Sequence, residues 1–211
     1  MIGLHFIVFG FLLCFLPIYF MPENSLDTKI TIWWYTFGIF IALIEFAMFK
    51  NQNYMSTNEC PINDENNWYF RKYNLSRMFD SKLWTDGWKE YCKQSGDFRY
   101  LETMKGDFAP WIEFINGIIA VIIGSYIIYG LYTKNISHIN VAIAILMLSA
   151  TQIFGTILYY SSYYTKCFHK LEKLGFSWFF HLVIMNILWI IFPTFVSYYA
   201  YKMIVNNSYL S

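Results

Sequence analysis

Charge is what this chain has least of. Its 211 residues carry fifteen Lys and Arg and fourteen Asp and Glu, 14% of the whole, where an ordinary soluble domain has roughly 25%. The two signs nearly cancel, to a formal net charge of +1, and no basic stripe stands clear of acidic neighbours, so a nucleic-acid partner is not expected. Cysteine is scarce as well. Cys14, Cys60, Cys92 and Cys167 form no C-x-x-C pair and have no histidine at ligand spacing, which argues against zinc. Sequence leaves open whether Cys60 and Cys92 form a bridge or are ordinary thiols. Neither a metal nor a cofactor is expected.

Apolar side chains take the place of charge, at 57% of the chain. A domain of this size buries only about 70% of its unfolded surface, too little to hide so much hydrocarbon from water. The expected fold is therefore all-α and polytopic in a membrane. Crossing about 30 Å of hydrocarbon takes about 20 apolar residues, and five runs qualify: Leu4 to Met21, Ile30 to Phe49, Pro110 to Tyr132, Ile139 to Tyr160 and Phe176 to Ala200. No Lys or Arg precedes the first run and no small-residue cleavage site follows it, so it reads as a retained span rather than a signal peptide. Pro110 falls in a tolerated first turn and Pro193 is expected to kink the fifth span.

The expectation is thus one membrane domain, residues 1–211 with a core of about 30–200, and one long extramembrane loop, 50–109, between the second and third spans. Within that loop, 51–67 is Asn-rich, whereas Tyr69 to Tyr91 has helical spacing that puts Trp84, Trp88 and Tyr91 on one face, suited to an interfacial helix. Lys and Arg number twelve on the side of the long loop and three on the other, which points the long loop to the cytosol, or to the matrix in a mitochondrion.

An ionisable group in mid-bilayer costs roughly 2.5–3.5 kcal/mol, so each one needs a reason. Glu45 stands four residues before the end of the second span and Glu113 three residues into the third, both about 5–6 Å below the surface on the long-loop side. Asn116 follows Glu113 by three. Ser149, Gln152 and Thr156 share a face of the fourth span; Asn186 and Trp189 share one of the fifth. Hydrocarbon offers such groups no partner, so they are expected to turn inward, as a shared site or as glue between helices. Two carboxyls that approach one another share a proton more readily than they both ionise. Trp189, with Tyr159 and Tyr160, can line the site and face a cation or a flat apolar ligand. Arg99 is expected beside Trp84, Trp88 and Tyr91, meeting an acidic group such as Glu45, Glu113 or Asp97.

The phrase Trp88-Lys89-Glu90-Tyr91-Cys92-Lys93 with Asp97-Phe98-Arg99-Tyr100, then Ile112-Glu113, Gln152-Ile153-Phe154-Gly155 with Leu158-Tyr159, and Met185-Asn186-Ile187-Leu188-Trp189 with Pro193, resembles the emopamil-binding superfamily of EXPERA-domain membrane proteins. That superfamily includes a sterol isomerase, which moves a ring double bond from position 8 to position 7, the sigma-2 receptor and related lipid-binding proteins. The resemblance implies five membrane helices, a sterol-like or lipid ligand, and a place in the endoplasmic reticulum, with the mitochondrial inner membrane as the alternative.

It also implies roles. Glu45 and Glu113 match the two proton-transferring glutamates, and Asn186 and Trp189 match residues that complete the pocket. The remaining candidate ligand contacts are Asn116, Gln152, Tyr159 and Arg99. Three positions depart from the pattern: Ile41 stands where the isomerase has a second-span histidine, Asn116 replaces a threonine, and Thr156 replaces an aspartate. Loss of the histidine removes the group that titrates near neutrality. The expectation is a non-catalytic binder of a sterol-like lipid, or a structural subunit of a larger membrane assembly such as a respiratory complex, with a homodimer also open. The alternative is an active isomerase using Glu45 and Glu113.

Overall fold

The computed structural model describes residues 2–20, 25–55, 68–97, 109–167 and 175–210, and among these it is helical, with no strand. The first apolar run does not form one rod. It gives α1 (Gly3–Leu13) and α2 (Leu16–Tyr19), broken at Cys14 and Phe15. Pro17 accounts for the break: it has no N–H for the carbonyl of Leu13, so the helical ladder of hydrogen bonds is interrupted there and Pro17 sits instead in the first turn of α2. Together the pieces cover Gly3–Tyr19, roughly 25 Å at 1.5 Å per residue, short of a 30 Å hydrocarbon core.

Four later helices are long and apolar enough to cross: α3 (Leu26–Lys50), which starts where Ser25 Oγ accepts from the Thr28 amide at 3.3 Å, then α6 (Ala109–Thr133), α7 (His138–Lys166) and α8 (Phe176–Val205). Between α3 and α6 come α4 (Gln52–Met55) and α5 (Ser81–Ser95). Helix α5 is capped at its start by Asp80, whose carboxylate accepts from the Lys82 amide at 2.9 Å, and stopped by Gly96 at a φ of 69°. Helix α7 runs six residues beyond the expected Tyr160, because its last turns pack Tyr163 against α5 and α8: Tyr163 donates to the Ser95 carbonyl at 2.6 Å and accepts from Trp178 at 2.9 Å. Helix α8 continues through Pro193 and widens into a π turn over Phe179–Ile184.

The bundle has a closed end and an open end. At the closed end, Ile32, Trp34, Tyr35, Ile145, Leu148 and Tyr199 belong to one buried core. Tyr199 and Thr28 share a hydrogen bond of 2.8 Å, Lys202 pairs with Asp27 at 2.7 Å, and Tyr209 donates to the Ile136 carbonyl at 2.6 Å. At the open end α5 lies across the last turn of α3: Asn51 Nδ2 reaches the Ala47 carbonyl, Ser81 and Thr85 at 2.8, 3.1 and 3.0 Å. Buried Lys89 places its ammonium 4.0 Å from the centre of the Tyr54 ring. Helix α1 leans on α3 where Gly10 meets the Phe40 ring, so closely that a methyl group at Gly10 would overlap it.

Candidate functional site

Between the two ends the helices splay around a cavity of about 670 Å³, within the range of roughly 300–1,000 Å³ that small-molecule sites occupy. Seven of the eight expected site residues line it: Glu45, Glu113, Asn116, Gln152, Tyr159, Asn186 and Trp189. The eighth, Arg99, lies outside the described residues, as does Cys60 with its pairing to Cys92.

Glu45, 7% exposed on α3, and Glu113 on α6 form a hydrogen bond between their carboxyls. Gly117, one turn beyond Glu113, allows the approach: a Cβ there would stand 3.0 Å from Glu45 Oε2 and from the Phe46 ring. Asn116, on the same face, lies against Gly155 of α7. Ile41, one turn before Glu45, and Ile44, next to it in sequence, give this wall an apolar lining.

The polar stripe on α7 is less uniform than its spacing suggests. Ser149 is within 3.3 Å of the Tyr35 hydroxyl, and Thr156 donates to its own helix at the Gln152 carbonyl, 2.9 Å. Gln152 accepts from Trp34 Nε1 at 3.1 Å and also lines the cavity. Trp189 stands in an aromatic cluster, its ring centroid 4.9 Å from that of Trp34 and 6.2 Å from that of Phe37.

Trp84, Trp88 and Tyr91 do share a face of α5, and that face looks into the cavity. Tyr91 is a site residue that sequence reasoning placed at the membrane surface instead. Asn186 Nδ2 donates to its hydroxyl at 2.6 Å, and Tyr91 also bonds Tyr159, whose hydroxyl donates to Asp97 at 2.8 Å. A chain of hydrogen bonds thus runs from Asp97, fully buried at the end of α5, to the amide of α8 in the cavity wall. Burial pushes the Tyr91 phenol above its ordinary range, so it keeps its proton at physiological pH.

His181 is the second addition. Its Nδ1 is 2.8 Å from the Ser177 carbonyl, which can only accept, so Nδ1 carries a proton, and Nε2 shares a hydrogen bond of 2.9 Å with the Tyr69 hydroxyl. His181 lines the cavity five residues before Asn186. On an ideal α-helix five residues turn the chain well off one face. The π turn realigns them, and π turns recur at functional sites. An ionisable residue within a candidate span was the available signal. No lysine or arginine is among the described lining residues.

A family model described as EBP: EXPERA (EXPanded EBP superfamily) matches residues 83–200, more than half of the chain, spanning α5 to α8. Comparisons with curated proteins and with solved structures gave no match.

Proposed function

The chain belongs to the EXPERA, or expanded EBP, superfamily, and from that membership and the cavity we propose that it binds a sterol-like or other flat lipid between its membrane helices without efficient catalysis. One observation carries this reading: residues singled out separately on α3, α6, α7 and α8 line a single, largely apolar cavity. The ligand this suits is mostly hydrocarbon, with a polar or cationic feature for the carboxyl pair. Entry is from the bilayer, with the Gly3–Tyr19 segment as a fifth, shorter membrane element beside the four long helices. The endoplasmic reticulum is the proposed location and the mitochondrial inner membrane the alternative, the latter suiting a structural subunit of a larger complex.

The case against catalysis rests on Ile41, because an alkyl side chain cannot relay a proton and general acid–base help is worth roughly 10²–10⁴-fold in rate. His181 favours a second reading, that of a sterol 8-to-7 double-bond isomerase, since it brings an imidazole, a side chain able to take up and give back a proton, into the same cavity from α8. An isomerase assay on the purified protein with a sterol carrying the 8-position double bond separates the two, run with the Ile41→His, Glu113→Gln and His181→Ala variants and with binding of the same sterol measured in parallel. The non-catalytic reading expects binding with turnover at least about 100-fold below that of Ile41→His. Fast turnover by the unaltered chain, abolished in Glu113→Gln and in His181→Ala, overturns it in favour of the isomerase.

A further inference from the structure

Among the buried polar atoms of the described residues is the side-chain nitrogen of Gln152. The residue is 8% exposed, Nε2 is buried without a hydrogen-bond partner among the described residues, and the side chain lines the cavity. Its other end is committed, because Trp34 Nε1 donates to Oε1 at 3.1 Å. Trp34 is itself fully buried, stacked 4.8 Å from Phe192 and tilted against Trp189. An indole N–H can only donate, so turning the amide over would set donor against donor. The orientation is thereby locked with the NH₂ on the side of Gly38, itself a lining residue of the cavity. Space is left beside it by Gly38 of α3: a Cβ there would stand 3.7 Å from Nε2, with no other described heavy atom within 4 Å. A buried donor left unmet is costly, and in this setting the cavity is where an acceptor can come from.

We propose that the ligand of this cavity places an accepting oxygen, a hydroxyl or a ketone, against Gln152 Nε2 beside Gly38. The proposal rests on the ligand-binding reading above and adds the chemical character of the ligand at one point. Gly38 and Glu45 are seven residues apart on one face of α3, so the oxygen site lies about 10 Å along that helix from the carboxyl pair. Ile41 lies between them in the lining. The ligand is therefore two-ended. One oxygen is held by the amide, hydrocarbon passes Ile41, and a second polar or cationic feature reaches Glu45 and Glu113.

The test compares two probes on the purified full-length protein: radiolabelled cholesterol, and radiolabelled cholest-5-ene, which differs by lacking the 3-hydroxyl. The unaltered protein should prefer cholesterol by about tenfold or more. Gln152→Met, which removes the donor and also the acceptor of the buried Trp34 indole, should erase that preference, bringing the affinities for the two probes within about threefold of each other. Gly38→Ala should erase it too, by filling the place of the oxygen, and alanine is the better helix former, so α3 is retained. Retained cholest-5-ene binding certifies the fold of both variants. Equal affinity of the unaltered protein for the two probes, or a preference that survives both substitutions, overturns this proposal and leaves the ligand-binding reading standing. Binding of neither probe to the unaltered protein overturns both.

Discussion

At the scale of single residues, the cost of placing polar groups in hydrocarbon made most of the polar lining of the cavity readable in advance. Glu45, Glu113, Asn116, Gln152, Asn186 and Trp189 are conspicuous in apolar runs, and all of them line the cavity. What the runs could not disclose is how each group is used, because that is decided by partners far along the chain. Gln152 owes its orientation to Trp34, and Asn186 spends its amide on Tyr91 of α5. His181 escaped notice because its place in the lining depends on the π turn over Phe179–Ile184, a local departure that helical periodicity cannot anticipate. The Asn186–Tyr91 bond is measurable. Tyr91→Phe should cost about 0.5–1.5 kcal/mol of stability and Asn186→Ala about 1–3 kcal/mol. The double variant should cost less than their sum by about 1 kcal/mol, in thermal or denaturant unfolding in detergent. Additive losses would mean that the bond contributes nothing.

At the scale of elements, the four long spans follow from length and hydropathy, and their observed ends differ from the expected ones where packing extends a helix, as at Tyr163 on α7. The first run forms two short helices in place of one rod for a local reason, Pro17, which the segment's hydropathy does not register. The aromatic face of α5 was legible as a face but not as a roof, since period alone cannot distinguish a lipid headgroup from a cavity as the surface covered. Helix α5 depends on its cap. Asp80→Ala should loosen it by about 0.5–2 kcal/mol, visible as faster amide hydrogen exchange in Ser81–Ser95. The hydrogen bond from Arg77, followed by that from the Lys82 amide, lowers the Asp80 carboxyl below its usual range. A carboxyl lowered by folding stabilises the fold above its unfolded pKa, about 3.9, and loses that contribution as pH falls through the lower folded value. Protection of α5 by Asp80 should therefore be flat from about pH 8 to 5 and decline below about pH 4, whereas Asp80→Asn should abolish the dependence assignable to this group and keep much of the cap. On α1, Gly10→Leu should lift the helix off Phe40 and shift a thiol-reactive probe at Cys14, now 2% exposed, from slow to fast labelling.

At the scale of the whole molecule, the tightest packing and the cavity proposed for the ligand fall at opposite ends. The closed end ties the start of α3 to the end of α8 through Thr28 and Tyr199, and Asp27 and Lys202. The open end spends its polar groups on a cavity, including two carboxyls that a fold optimised only for stability would replace with hydrocarbon. Tyr199→Phe should accordingly cost about 0.5–1.5 kcal/mol and leave lipid affinity unchanged, while Tyr91→Phe should alter both. The central claim, that a flat lipid sits inside the bundle, is tested most directly by photo-crosslinking a diazirine-bearing sterol to the purified protein and mapping the adducts by mass spectrometry. The account predicts adducts on cavity residues such as Ile41, Gln152 and Trp189, competed away by excess unlabelled sterol. Adducts confined to outward-facing residues such as Ile122 and Phe154, 65% and 62% exposed, and insensitive to competitor, would contradict it.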